Sequence, residues 1–181
     1  VLGGFEKERG AYMKRFVGLD PSTQTGFVAL DEAGAVLRRK ELTGVGNEDP
    51  KRMVTLIDEI IAHIQPEDII CIENFGFATK QGIQLGGIGW GIRMALFRRG
   101  IKWIEVAPSQ VKKFATGKGN TKKEAMAVPI FKRWGFESSS NNVTDAYVLA
   151  QIARSVTISE GGRLSLEYTA FQLEVLKAIE G

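Results

Sequence analysis

Three carboxylates interrupt runs that otherwise read as buried. Asp20 closes FVGLD, Glu73 closes IICIE, and Asp145 stands just before the apolar AYVLA of NNVTDAYVLA. A charged group left unpaired in an apolar setting is strongly unfavourable. Carboxylates brought together repel one another and their pKa values rise. A divalent cation between them removes that repulsion, and an all-oxygen donor set selects a hard ion, Mg²⁺ or Mn²⁺. Two such ions roughly 3.5–4 Å apart serve in-line displacement at a phosphodiester. Each acid also has a plainer reading. Asp20 could cap the turn DPST, Glu73 could pair with a lysine, and Asp145 could complement a helix dipole.

The charge distribution points the same way. The 181-residue chain carries a net charge of +3. Between Arg98 and Arg133, ten basic residues face only Glu105 and Glu124, a net +8 that leaves −5 for the remainder. A basic middle in an otherwise acidic chain marks a polyanion partner, nucleic acid above all. The lone Cys71 excludes an internal disulfide framework and fits a reducing, cytoplasmic setting. The lone His63 excludes a His-rich metal site and suits a helix end. Every apolar run is broken by charge or glycine before it reaches membrane-spanning length. Residues 1–12 lack the apolar core of a signal peptide. They read as a poorly ordered extension ahead of a single domain, 13–181.

The acids need elements to carry them. Strands are expected over 14–20, 25–32 and 35–44, joined by short turns into an antiparallel meander. Helical spacing of Met53, Leu56, Ile57, Ile60, Ile61 and Ile64 predicts a helix over 50–64. Residues 68–75 read as a strand buried on both faces. A helix over 81–100 carries Gly82, Gly86, Gly87, Gly89 and Gly91, which would permit close backbone packing. A fifth strand is expected over 102–108, then a short helix SQVKKFA and the loop TGKGN. In TKKEAMAVPIFKRWG, Pro129 should kink the helix or restart it. Helices over 142–156 and 166–179 complete the chain, separated by Gly161 and Gly162. The order predicts an α/β protein with a mixed five-stranded sheet and helices on both faces, the layout of the ribonuclease H-like fold. In that topology the first strand is central, the strand of Glu73 lies beside it, and the helix from Asn142 can bring Asp145 to the same edge.

Four segments, FVGLDPSTQTGFVAL, IENF, VKKFATGKGNTKKEA and NNVTDAYVLA, together resemble the RuvC family of Holliday junction resolvases over residues 14–157. The resemblance implies a crossover junction endodeoxyribonuclease, of a phage-type or otherwise divergent kind, acting in recombination and repair. It implies two Mg²⁺ or Mn²⁺ ions per site and hydrolysis leaving 5′-phosphate and 3′-hydroxyl ends. Asp20, Glu73 and Asp145 match three of the family's four metal-binding acids, and the fourth falls on Asn142. Asn offers an amide oxygen without charge, so Asn142 is either a natural variant or an inactivating substitution of Asp. Lys112 and Lys123 match lysines near the scissile phosphate. Phe75 or Phe77 resembles the aromatic that stacks on unpaired bases, and an extended segment would place both rings on one side. Lys80 would then reach a phosphate, as would Lys113, Lys118 and Lys122 of the basic stretch. A four-way junction has approximate two-fold symmetry, so a C₂ homodimer is expected, through the glycine-rich helix or the last helix.

Other readings have distinct signatures. A broader nuclease of the same fold would cut flaps as well as junctions. A nucleic-acid-binding module with a degenerate metal site would explain Asn142. DPSTQTG also has a faint likeness to the phosphate loop of actin-like proteins, but no second phosphate loop accompanies it.

Overall fold

The computed structural model describes residues 13–75, 82–160 and 168–180. Phe77, Lys80, the 1–12 extension and the Gly161–Gly162 break lie outside the described residues. β1 (Phe16–Asp20), β2 (Thr25–Leu30) and β3 (Val36–Leu42) form an antiparallel meander. After α1 (Lys51–His63), β4 (Ile69–Glu73) returns parallel to β1, and after α2 (Gly82–Arg98), β5 (Trp103–Val106) adds parallel to β4. The sheet order is β3-β2-β1-β4-β5, so β1 is central and β4 is its neighbour, as expected. Then come α3 (Pro108–Thr116), a 3₁₀ turn (Lys123–Ala125), α4 (Ala127–Trp134), α5 (Asn141–Glu160) and α6 (Ala170–Glu180).

Side-chain alternation along the strands builds a core on each face. Val17, Leu19, Phe27 and Ala29 pack against Leu56, Ile60 and Ile92 of α1 and α2. Phe16, Val28, Leu30, Cys71 and Val106 pack against α5 and its companions, with Ala146, Val148 and Ala150 fully buried. β1 and β2 are buried throughout, and two-sided burial explains their apolar runs up to Asp20 and after Thr25. β3 is different: all its residues but Leu42 are exposed, and Arg38, Arg39 and Lys40 line this outermost strand. Charge of this kind discourages edge-to-edge pairing. A bidentate pair ties the start of β1 to the start of β4, with Arg15 Nε and Nη2 donating to Asp68 at 2.9 and 2.7 Å.

Several local expectations are sharpened. Pro129 restarts the helix: a 3₁₀ turn ends at Ala125, and Pro129 then sits in the first turn of α4, where no intrahelical N–H bond is required of it. His63 ends α1, its Nδ1 2.8 Å from the Glu59 carbonyl. Of the α2 glycines, Gly89 and Gly91 meet the packing expectation. A Cβ at Gly91 would lie 2.2 Å from Ile57 Cδ1 of α1, whereas one at Gly86 would meet nothing within 4 Å among the described residues.

Candidate active site

Asp20 and Glu73 are the last residues of two adjacent parallel strands. Asp20 pairs with Gly26, Glu73 with Val106, and the intervening alternation places both carboxylates on the α5 side of the sheet. Beyond Asp20 the chain turns through Ser22 and Thr25. Thr25 Oγ1 donates to the Ser22 carbonyl at 2.7 Å, and Ser22 Oγ accepts from the Gln24 amide at 3.1 Å. These hydroxyls carry the turn's own bonds, which frees Asp20 from the capping role.

The third acid arrives on α5. Ser140 caps this helix, its Oγ accepting from the Val143 amide at 3.2 Å and its carbonyl from the Thr144 amide at 3.0 Å. The helix lies against the sheet because two strand positions lack a side chain. A Cβ at Gly18 would fall 1.9 Å from the Ala146 carbonyl oxygen, and one at Gly26 would fall 1.9 Å from that of Asn142. The backbone contact lowers Asp145 onto the strand ends. One oxygen from each of Asp20, Glu73 and Asp145 then lies within 4.8 Å of the others.

The electrostatics follow from this crowding. Burial, then the charges of Glu73 and Asp145, hold the Asp20 carboxyl well above the usual carboxylate range. Burial and Asp145 push Glu73 up to about 7, against the opposing pull of Lys123 and Lys112. Burial also raises Asp145, although Lys123 and Lys112 offset it. Lys123 Nζ stands 3.4 Å from Asp145 Oδ2. Burial alone would lower the Lys123 pKa, but the attraction of Asp145, Asp20 and Glu73 raises it. Three hard oxygen donors that repel one another are a donor set suited to Mg²⁺ or Mn²⁺.

A cleft of about 280 Å³ opens beside the acids, lined among others by Asp20, Glu73, Phe75, Arg93, Lys123 and Asn142. Phe75 is docked on α2. Its ring stacks on Trp90 with centroids 5.7 Å apart, and its edge occupies the place where Gly89 would carry a Cβ, 2.5 Å from Phe75 Cε1. Lys112 is half-buried on α3, within electrostatic range of Glu73 and Asp145. Lys118 and Lys122 are exposed on the basic segment that leads to Lys123. Lys113 is held elsewhere: its Nζ lies 2.5 Å from Glu174 Oε2 of α6. The sequence reasoning missed Gly18 and Arg93. A glycine inside an apolar strand is a sign of close backbone approach and could have flagged the first.

A ribonuclease H-like sheet with acids on two adjacent strand ends, met by a third on a helix crossing that face, is the framework of a metal-dependent nuclease. Residues 16–152 match the family model "Crossover junction endodeoxyribonuclease RuvC", and the chain belongs to that family. It is 28% identical over 145 residues to the crossover junction endodeoxyribonuclease RuvC of Chlorobaculum parvum, across 74% of this chain and 78% of that one. Among solved structures, the T. thermophilus RuvC in complex with Holliday junction substrate superimposes with a TM-score of 0.60 at 21% identity, over 83% of this chain and 97% of that one. The Thermus thermophilus RuvC structure gives 0.56 at 20% identity, over 81% and 95%. At these identities the two structures establish the shared fold. No helix among the described residues is long and apolar enough to cross a membrane.

Proposed function

We propose that this chain is a structure-specific endodeoxyribonuclease that resolves four-way DNA junctions by metal-dependent phosphodiester hydrolysis, acting in the cytoplasm. The observation that carries this reading is the meeting of Asp20, Glu73 and Asp145 within 4.8 Å at the edge of the cleft, with Lys123 beside them. Asp20, Glu73 and Asp145, with the Asn142 amide oxygen, would hold two Mg²⁺ or Mn²⁺ ions. Such ions, when bound, activate water and stabilise the charge of the reacting phosphate.

The remaining chemistry belongs to the chain's own side chains. Lys112 and Lys123 bring positive charge to the phosphate as negative charge builds on it. Water attacks phosphorus and the P–O3′ bond breaks, leaving 5′-phosphate and 3′-hydroxyl ends. Lys118 and Lys122 hold the DNA backbone, joined by Lys80. Phe75 or Phe77 stacks on bases unpaired at the junction.

Paired cuts across a two-fold junction call for two sites, hence a C₂ homodimer. The outer face of α2 supports that arrangement. Ile83, Trp90, Met94 and Phe97 are exposed at helical spacing on it, a stripe suited to a second copy.

Asn142 favours a second reading, a junction-binding protein whose metal site has lost one charge. Cleavage of a four-way junction in Mg²⁺ or Mn²⁺ by this chain and by Asn142→Asp decides between them. The enzyme reading expects a gain in the Asp variant. Binding without cleavage by either protein favours the binding module. Equal rates on a junction, a flap and plain duplex would replace resolution by broader nuclease action.

A further inference from the structure

Arg93 has no part in the chemistry above, yet it is the largest fully buried side chain described, at 2% exposure. Its guanidinium is a meeting point of three elements. Nε donates to Glu105 Oε1 of β5 at 2.6 Å, and Nη1 to the Gly89 carbonyl of α2 at 3.0 Å. The guanidinium carbon lies 4.4 Å from the centroid of the Phe75 ring, two residues beyond Glu73. Nη2 is buried with no acceptor among the described residues. An apolar side chain of similar length would fill this place without stranding a donor. What a guanidinium adds is a planar cation on an aromatic face, fixed in direction by two hydrogen bonds.

We infer that Arg93 is a positioning residue: it seats Phe75 at the mouth of the cleft and thereby sets where branched DNA meets the site. This rests on the nuclease reading for its DNA consequence, but not for its structural one. Glu105 is already oriented for the task, since Trp103 Nε1 also donates to its Oε1 at 3.0 Å. Asn74 joins the same frame, its amide donating to the Val106 carbonyl at 2.8 Å, next to Glu105. The segment leaving Glu73 is thus held by backbone on β5 and by its aromatic ring on α2, and Arg93 links the two anchors.

The free protein gives the first test. Nuclear Overhauser contacts between the Phe75 and Trp90 rings should be strong in the unaltered chain and lost or averaged in Arg93→Met. Arg93→Lys should not restore them, because an ammonium lacks the plane and the second hydrogen bond. It also serves if the Met variant does not fold. Unchanged ring contacts in the Lys variant, or in a folded Met variant, overturn the inference.

DNA supplies the second test, with a four-way junction titrated in Ca²⁺ at several salt concentrations. Arg93→Met should weaken binding about five- to tenfold and leave the salt slope unchanged. The same substitution should cost nothing more in a Phe75→Leu background, since Arg93 acts through that ring. A salt slope reduced by about one would make Arg93 a direct phosphate contact, and additive losses would separate it from Phe75; either result overturns the positioning role. Failure of the unaltered chain to bind any branched DNA counts against the proposed function instead, and the ring contacts then decide the role of Arg93 alone.

Discussion

The Cβ that Gly26 lacks would fall 1.9 Å from the carbonyl oxygen of Asn142. Backbone meets backbone there, so no flexible side chain can yield. Gly26→Ala must lift the start of α5, which carries both Asn142 and Asp145, away from the strand ends. The expected loss is about 3 kcal/mol or more in urea unfolding, with weaker Mg²⁺ binding in whatever remains folded. Gly86→Ala is the contrast. Nothing among the described residues stands within 4 Å of its Cβ position, so the helix should gain about 0.5–1 kcal/mol.

The crowded carboxylates make the metal-free protein less stable as pH rises. Asp20, Glu73 and Asp145 all have pKa values raised in the folded chain, Glu73 to about 7. A raised carboxylate binds more protons folded than unfolded, so its penalty is absent below the unfolded pKa and grows until the folded pKa is passed. Melting temperature in chelator should therefore fall from about pH 4.5 to beyond pH 7. Added Mg²⁺ should reverse the fall at pH 8 and do little at pH 5. A metal-free melting temperature that climbs across this window would contradict the geometry.

Asp20→Asn separates a functional acid from a structural one. The change keeps shape and removes one charge from a repelling trio. At pH 8 without metal the variant should be more stable, by about 0.5–2 kcal/mol, while the Mg²⁺ effect on melting and any cleavage disappear. Junction binding should persist, because the basic segment is untouched. Loss of stability and binding together would mean that Asp20 holds the fold.

The three acids were legible because a carboxylate at the end of an apolar run violates the local pattern, and the expected topology brought two of the runs side by side. Arg93 was not legible. In GIRMALFRRG it resembles the exposed Arg98 and Arg99, and only the packing of β5 and Phe75 around it reveals its burial. The partner of Lys113 was hidden for a related reason: Glu174 lies 61 residues away, on a helix whose docking no local pattern specifies. The basic stretch was read as one surface, but helix geometry turns adjacent lysines to different sides.

That division predicts unequal lysines. Lys113 is engaged with Glu174 on α6, while Lys112 faces the field of Glu73 and Asp145. Lys112→Ala should weaken junction binding and lower the salt slope by about one. Lys113→Ala should change neither, and a fluorescence anisotropy titration over a range of salt concentrations reads both. Equal effects would place the Lys113 ammonium on DNA despite its pairing.

The proposed dimer is tested on α2. Phe97 is 77% exposed and Trp90 57%, on the same helix that packs Ile88 and Ile92 into the core. One side of the helix is committed to the fold, while the other leaves Ile83, Met94 and Phe97 exposed beside Trp90. Phe97→Glu introduces a charge that the monomer tolerates at the surface but an apolar interface does not. Light scattering should show a shift from dimer to monomer, with melting of the monomer nearly unchanged. In the Asn142→Asp background the same substitution should turn paired incisions into single nicks, read as nicked rather than linear product from a cruciform plasmid. A dimer that survives Phe97→Glu would move the interface to another face, with α6 the next to test.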